Sequence, residues 1–412
     1  MQRRATKADA TWAIRRLRAA GHEALLAGGC VRDMLMGHRP ADYDVATGAT
    51  PEQVRELFRR VRMVGAQFGV AMVVRAGRAI EVATFRTDAS YSDGRHPDAV
   101  RFTSAREDAR RRDFTINGMF YDPLERRVVD YVGGQRDLAA GVVRAIGDPG
   151  RRFAEDHLRM LRAVRFATRF GFAIERSTAA AIRREAGAIR AISGERVREE
   201  LEKMLSRPSA AEAAAALHGL GLMQAVLPEL FAREGDWPAA ASRLGSVGRR
   251  GDAMLALGAL LAGLPAAAIR RIVRRWGGAN SLRDGLVWMA EHLDDWRELP
   301  EAPPAALKRL LARPHYARLE GLWRHEERSA TGHLRRWRAI RRRVRGIDPA
   351  QVRPGPLVTG EDLLAMGMTE GPEIGRVLRA VYEAQLNEEI RSRAEGLRLA
   401  QQLQHRGAEG QR

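Results

Sequence analysis

Two aspartates one residue apart, Asp42 and Asp44 in the run ADYDVAT, follow closely on a glycine turn, GGCVRD at Gly28 to Asp33. In an extended strand residues i and i+2 project from the same face, so the two carboxylates are expected side by side, with Tyr43 and Val45 turned into the layer behind. Like charges held that close resist joint ionisation unless cations neutralise them. Hard oxygen ligands suit Mg²⁺, and two such ions can clamp an in-line phosphoryl displacement. An isolated D-x-D also occurs in solvated turns; the glycine turn upstream tips the reading towards phosphate chemistry.

The elements that would position these residues follow from the flanking pattern. Glu23-Ala-Leu-Leu-Ala reads as a short buried strand broken by Gly28-Gly29, after which Val31, Met34 and Leu35 recur at helical spacing. A strand, a glycine turn and a helix N-terminus expose backbone N–H groups and a positive dipole end, and Arg32 is placed to add a charge-assisted contact to a triphosphate. Thr50-Pro51-Glu52-Gln53 is a helix start with a capping residue, a proline at the first position and a glutamine at the third, and Val54, Leu57 and Phe58 supply that helix's apolar face. Phe68 to Val74 and Arg78 to Thr84 read as two strands joined at Ala76-Gly77. Glu81 alternates with Ile80 and Val82; it is either a third acid of the metal site or a surface residue of an edge strand, and Asp113 competes for the same role. Arg86 to Asp98 is polar, turn-rich and aperiodic, and is expected to be a mobile loop.

The composition supports a polyanion partner. The 412-residue chain carries a formal charge of +19 and a pI near 11.2, and its only lysines are Lys7, Lys203 and Lys308. Its single cysteine, Cys30, excludes a disulfide framework and a cysteine-based zinc site, and is expected to be a packed residue rather than a nucleophile. No apolar run approaches the length of a membrane span and the N-terminus lacks an apolar leader, so a cytoplasmic protein with no membrane partner is expected.

In sequence order, GGCVRD–ADYDVAT, AIEVATFR (79–86), RRRDFTINGM (110–119), YVGGQRDL (131–138), EDHLRMLRAVRFA (155–167) and SGERVREELEKML (193–205) resemble the successive motifs of the class II tRNA nucleotidyltransferase and bacterial poly(A) polymerase family, within the DNA polymerase β-like superfold. The resemblance is close over the first half and looser at LVTGEDLLAMG…GPEIGRVL. It implies an α+β fold: a DNA polymerase β-like nucleotidyltransferase head with a mixed sheet and helices over residues 1–150, then an all-α neck (151–206), body (207–345) and tail (346–405), with 406–412 disordered.

The resemblance also distributes roles. Asp42 and Asp44 become the metal-binding catalytic acids, with Glu81 beside them. Gly28, Gly29 and Arg32 take the phosphates. Arg112 and Asp113 face the sugar, with Asn117 of the same motif in the nucleotide site; a buried acceptor paired with a 2′-OH penalises a substrate lacking it. Glu155-Asp156-His157-Leu158-Arg159 is expected to open a long helix with Leu158, Leu161 and Val164 inward. Asp156 and Arg159, three apart, would share a face and offer an acceptor and a fork of donors to the Watson–Crick edge of a base. In the family these positions choose C or A, with Glu155 in the same nucleotide site; Arg162 and Arg165 extend the positive lining, and His157 is expected on the helix surface. Ser193 to Leu205 reads as a capped helix with Val197, Leu201 and Met204 buried, and Arg196 and Glu199 as supports of the base-reading helix.

Beyond residue 206 the pattern is helical, with Trp276, Trp288, Trp296 and Trp323 as packing. Leu334, Trp337 and Val344 mark one face of 334–345, and arginines crowd the others. Such a helix can lie on an RNA backbone or an anionic membrane; with this head upstream, Arg335, Arg336 and Arg342 are read as tRNA contacts. Residues 346–356 look like a linker and 357–400 a small helical unit, in which Gly371 to Gly375 is either a phosphate-facing helix start or an interhelical turn. No His-Asp dipeptide occurs, so the phosphohydrolase module of some relatives is not expected.

The implied reaction is metal-dependent, template-independent addition of CCA to the 3′ end of tRNA, with CTP and ATP as substrates, two Mg²⁺ ions as cofactors and no obligate protein partner. An A-adding enzyme acting on tRNA ending in CC, a poly(A) polymerase and an inactive RNA-binding protein remain alternatives. Ala66 and Gln67 stand where polymerases of the family carry a basic pair, and the full-length 86–98 loop argues against an enzyme that adds only C.

Overall fold

The structure, a computed structural model, describes residues 3–64, 69–88 and 100–409. The chain divides into two compact units. One comprises Met1–Trp237, Gly248–Ala253 and Arg271–Gly278; the other comprises Pro238–Val247, Met254–Arg270 and Ala279–Arg412.

The first unit is built on a mixed sheet of eight strands: β1 (Arg3–Arg4), β2 (Ala24–Ala27), β3 (Asp44–Thr47), β4 (Val61–Met63), β5 (Val70–Arg75), β6 (Arg78–Thr84), β9 (Phe120–Asp122) and β10 (Arg127–Val129). Their order is β10-β9-β2-β3-β6-β5-β4, with β1 lying parallel on β6 beside the end of β3. The pleat sends alternate residues to two cores. Ala24, Leu26, Val45, Ala71, Ile80 and Val82 pack with Ile14 and Leu17 of helix α1 (Lys7–Ala19) and Val54 of α3 (Pro51–Leu57), and Tyr43 joins them as expected. Leu25, Ala27, Ala46, Phe85 and Phe120 face the other way, under Ala105 and Ala109 of α4 (Ala105–Arg111). Because Val45 pairs with Val82 in parallel register, Asp44 and Glu81 lie one step back on the second face.

Local signals hold this frame together. Thr50 and Gln53 form the expected capping box with Pro51 in the first turn, and Thr6 with Asp9 makes another on α1. The buried Asp9 also receives Arg78 Nε at 2.6 Å and Nη2 at 3.1 Å, tying α1 to β6. The two-residue hairpin between β5 and β6 has positive φ at both Ala76 (47°) and Gly77 (75°), the twist a tight hairpin requires.

Some expectations change. Phe68, Ala66 and Gln67 lie outside the described residues, and β5 starts at Val70. Arg86–Asp88, read as part of an irregular loop, is strand β7 and pairs antiparallel with β8 (Val100–Phe102); the pairing strand lies too far along the chain for local periodicity to reveal it. Residues 89–99 lie outside the described residues. The helix expected from Glu155 is two helices: α6 (Pro149–Glu155) ends there, Asp156 is extended (φ −151°, ψ 102°), and α7 (Leu158–Phe170) starts afterwards. Helix α9 (Gly194–Leu205) buries Val197, Leu201 and Met204 against α7 as expected, although Ser193 makes no side-chain cap bond. Helices Ala210–Gly219 and Leu222–Val226 pack against the neck, so this unit runs past the expected boundary at residue 206.

The second unit is helical, and Trp296 and Trp323 are fully buried in it. Residues of both the expected body and the expected tail lie in this unit. Buried Lys308 of helix Pro304–Leu311 holds Glu388 at 2.9 Å, and Asn387 Oδ1 accepts the Ala305 N–H at 2.9 Å. The expected linker is structured: it contains helix Pro349–Val352, Tyr382 donates its hydroxyl to the Pro354 carbonyl, and Gln385 donates to that of Gly355. The last helix, Arg393–Glu409, continues into the stretch read as disordered; residues 410–412 lie outside the described residues.

Candidate active site

A cleft of about 500 Å³ opens in the first unit. Gly28 and Gly29, Arg32, Asp44, Arg112, Asp113, Asn117, Asp156, Arg159, Arg162 and Arg196 all line it, joined by Arg111, Leu158, Arg165, Phe166 and Arg169. Eight arginines face three aspartates across this wall, a balance that suits a polyphosphate.

Asp44 sits where the sheet's second face meets the cleft, whereas Asp42 and Glu81 lie near it without lining it. Burial, followed by the charges of Glu81 and Asp42, pushes the Asp44 carboxyl up to about 7, with Arg112 pulling the other way. Glu81, exposed as a residue, still rises through desolvation of its carboxyl and the charge of Asp42. Asp42 precedes β3 and is exposed. Among the described residues no three His, Cys, Asp or Glu side chains close on a point as a self-contained metal centre would. The acids fit the Mg²⁺ pattern instead, in which one or two carboxylates share the ion with phosphate and water. The upward shift of Asp44 reflects burial beside the charges of Glu81 and Asp42, a repulsion that a bound cation would relieve.

Asp113, the competing third acid, belongs to a different arrangement. Its Oδ2 accepts Arg162 Nε at 2.8 Å and Nη2 at 2.6 Å; its Oδ1 accepts the Phe114 N–H at 2.8 Å and Asn117 Nδ2 at 3.1 Å. These donors fill the acceptor sites of the carboxylate. Burial opposes the anion, but Arg162 and Asn117 outweigh it and hold Asp113 at about 2.

The glycine turn delivers Arg32. Gly28 has φ 72°, a conformation costly for other residues, and caps helix α2 (Gly29–Leu35). Arg32, 4 % exposed, donates to Asp33 Oδ1 (2.9 and 2.7 Å) and to Asn117 Oδ1 (2.5 Å), and lies over the Phe166 and Phe170 rings at 5.3 and 4.6 Å. Cys30 is buried, donates to the Ala27 carbonyl and has its thiol pushed up to about 12 by burial, so it is no nucleophile.

Asp156 and Arg159 are positioned differently from the shared helix face expected. Arg159, in the first turn of α7, donates to Glu155 Oε2 at 2.5 Å, while Asp156 accepts Arg196 Nη2 at 3.0 Å and the Leu158 N–H at 3.1 Å. The break between α6 and α7 brings both residues to the cleft but separates their partners. Glu155 is therefore a support of Arg159, which it shares with Arg152. His157 is half-buried at the break, with Nδ1 unpaired among the described residues, not on a helix surface. Arg196 bonds to Asp156, whereas Glu199 is exposed and, among the described residues, reaches only Lys203, at 3.9 Å. Its neighbour Glu200 is the buried acid, 2 % exposed and bonded to Arg165 Nε at 2.6 Å. The Val197–Leu201–Met204 stripe identifies the inward face of α9, and Glu200 borders it.

In the second unit, helix Arg335–Arg345 exposes Arg335, Arg336 and Arg342. Leu334 and Ile340 are its buried residues, whereas Trp337 and Val344 are half-buried. Glu327, with no exposed surface, caps its start by accepting the N–H groups of Arg336 (2.8 Å) and Trp337 (2.7 Å), and Arg343 donates to the carbonyls of Leu299, Pro300 and Ala302.

Residues 24–144 match the family model of the poly A polymerase head domain, and 171–233 that of the probable RNA and SrmB-binding site of polymerase A. The CCA-adding enzyme of Geobacillus kaustophilus is 35 % identical over 403 residues, which cover 93 % of each chain. The chain belongs to the family of CCA-adding enzymes and bacterial poly(A) polymerases. It is a nucleotidyltransferase. Poly(A) polymerase I of Escherichia coli is 45 % identical over 237 residues, 54 % of this chain and 51 % of that protein. The crystal structure of the Bacillus stearothermophilus CCA-adding enzyme in complex with CTP superposes with a TM-score of 0.74 at 30 % identity, covering 97 % of this chain and 98 % of that one. A Thermotoga maritima CCA-adding enzyme complexed with tRNA shares the fold at 20 % identity, with a TM-score of 0.69 and 95 and 93 % of the two chains covered. No described helix is long and apolar enough to cross a membrane.

Proposed function

We propose that this protein adds CCA to the 3′ end of tRNA from CTP and ATP, in the cytoplasm and without a nucleic-acid template. The observation that carries this reading is that phosphate-facing, acidic and base-facing groups line a single cleft: Arg32 at the glycine turn, Asp44 on β3, and Asp156 with Arg159 at the α6–α7 break. The similarity of a CCA-adding enzyme along nearly the whole chain supports tRNA over other RNAs.

Arg32 cannot swing freely between its carboxylate and ring contacts, and so holds a fixed charge for the triphosphate. Asp42 and Asp44 would hold Mg²⁺, which when bound lowers the pKa of the RNA 3′-OH and neutralises charge developing on the pyrophosphate. Glu81 adds negative potential to the same site. Arg159, steadied by Glu155, presents donors, and Asp156, steadied by Arg196, presents an acceptor, so C and A are chosen by protein groups. Arg112 and the Asp113–Arg162 pair face the sugar. Arg335, Arg336 and Arg342 supply salt-sensitive contacts to the tRNA backbone.

A poly(A) polymerase is the second reading, favoured by the 45 % identity of one such enzyme over 54 % of this chain. The test offers purified protein three RNAs, tRNA lacking its end, tRNA ending in CC and an unrelated RNA, with CTP or ATP. Addition of C, C and A to the truncated tRNA upholds the proposal. Addition of A alone to the CC end assigns an A-adding enzyme, and long A tracts on all three RNAs assign a polymerase.

A further inference from the structure

One buried acid of the head has no part in the reaction outlined above. Asp108 lies on the inner side of α4 between Ala105 and Ala109, 1 % exposed. Its Oδ2 receives both Nε (3.1 Å) and Nη2 (2.8 Å) of Arg112; its Oδ1 receives Arg111 Nε (2.8 Å) and the backbone N–H of Arg86 (3.3 Å), the first residue of β7. The grip takes one edge of the Arg112 guanidinium, and the Phe120 ring, 5.1 Å away at its centroid, lies against the cation. Nη1 is the end left over. It lies 3.0 Å from where a Cβ on Gly28 would stand, and the charge of Arg112 reaches Asp44. Arg112 is thus aimed between the glycine turn and the acids, in the wall of the cleft.

We infer that Asp108 is a positioning residue for the incoming nucleotide: it orients Arg112 so that Nη1 meets the ribose–phosphate portion of a nucleoside triphosphate beside Gly28, and it ties that donor to the start of β7. The inference rests on the reading of the cleft as the nucleotide site. A long side chain carrying a planar cation has many rotamers, and the bidentate grip from a buried carboxylate removes them before the nucleotide arrives. The sequence signal is the spacing Asp108–Arg111–Arg112, i, i+3 and i+4, which brings both arginines to one acid at the end of a helix.

The test titrates CTP and ATP against the wild type, Asp108→Asn, Arg112→Ala and the double variant, with Asp122→Asn as a control: Asp122 is an equally buried acid of the head whose partner is Arg18. Asp108→Asn keeps the shape and removes the charge. We expect each single variant to raise the nucleotide KM about tenfold with kcat little changed, the value of one charge-assisted contact. The double variant should be no worse than Arg112→Ala, and the control should match the wild type. A KM unchanged in Asp108→Asn while Arg112→Ala raises it, or losses that multiply in the double variant, would overturn the role of Asp108. An Arg112→Ala enzyme with wild-type kinetics would overturn the nucleotide site itself, and this inference with it.

Discussion

The cleft and the helix Arg335–Arg345 are both crowded with arginine, yet they hold it in opposite ways. In the cleft almost every guanidinium has an acid or an aromatic face assigned to it: Arg32 with Asp33 and Phe170, Arg159 with Glu155, Arg162 with Asp113, Arg165 with Glu200 and Arg196 with Asp156. On the helix, Arg343 is held by three carbonyls and Arg341 by Glu320 and Trp337, but Arg335, Arg338 and Arg342 are exposed and have no side-chain partner among the described residues, and Arg336 reaches Glu301 only at 3.8 Å. Charge fixed by partners costs desolvation and supplies geometry; loose charge supplies attraction without geometry. The first kind can tell one nucleotide from another. The second can hold a polyanion of any sequence.

Breaking the fixed side should give the larger effects. Asp44→Ala should lower kcat on the order of a thousandfold, the scale of several kcal/mol of lost charge stabilisation, in a protein whose circular dichroism is unchanged. Arg159→Lys keeps the charge but loses the fork; correct incorporation should fall about a hundredfold relative to misincorporation, read by sequencing the added ends. The loose side should respond to salt rather than to nucleotide. Replacing Arg335, Arg336 and Arg342 by Ala should weaken tRNA binding and flatten the log K against log salt slope by roughly 2 to 3, with the nucleotide KM unchanged.

Two stability measurements refine the comparison. Asp113 titrates at about 2 in the folded protein against an ordinary 3.8, so its contribution is complete above about pH 4 and lost as pH falls through the folded value. The shift corresponds to about 2 kcal/mol, and Asp113→Asn should remove that part of the pH dependence of the urea midpoint between pH 5 and pH 2. At the other site Glu327→Ala should cost about 1 kcal/mol, the value of a lost N-terminal cap, and should weaken tRNA binding through fraying of the basic helix. An unchanged urea midpoint in that variant would show that Glu327 does not hold the helix.

The helix–turn–strand frame was legible because its signals are local: a capping box at Thr50, a Gly28 that must take positive φ, and a hairpin at Ala76-Gly77. Of the expected acid pair only Asp44 lies on β3; Asp42 precedes the strand, so strand parity alone did not fix its place. Whether Glu199 or Glu200 turns inward was not legible because adjacent helical residues differ by about 100° in direction, and only packing against α7 decides it. Asp156 and Arg159 were given a shared helix face because nothing in EDHLR announces the break at Asp156. The structured 346–356 segment was missed because its bonds run to Tyr382 and Gln385, far along the chain.

By itself, then, the sequence determined which residue types stand at which spacing: the paired acids, the glycine turn, the arginine-rich motifs and the elements that local periodicity and capping produce. Only the tertiary structure decided partnership: that Glu81 faces Asp44 while Asp113 is taken by Arg162, that Glu155 bonds to Arg159 and Arg196 to Asp156, and that Asp108 grips Arg112. The reason is physical. A periodic pattern is set by neighbours within a turn or a pleat, whereas a buried charge finds its counter-charge through whichever distant segment the packed core brings alongside it.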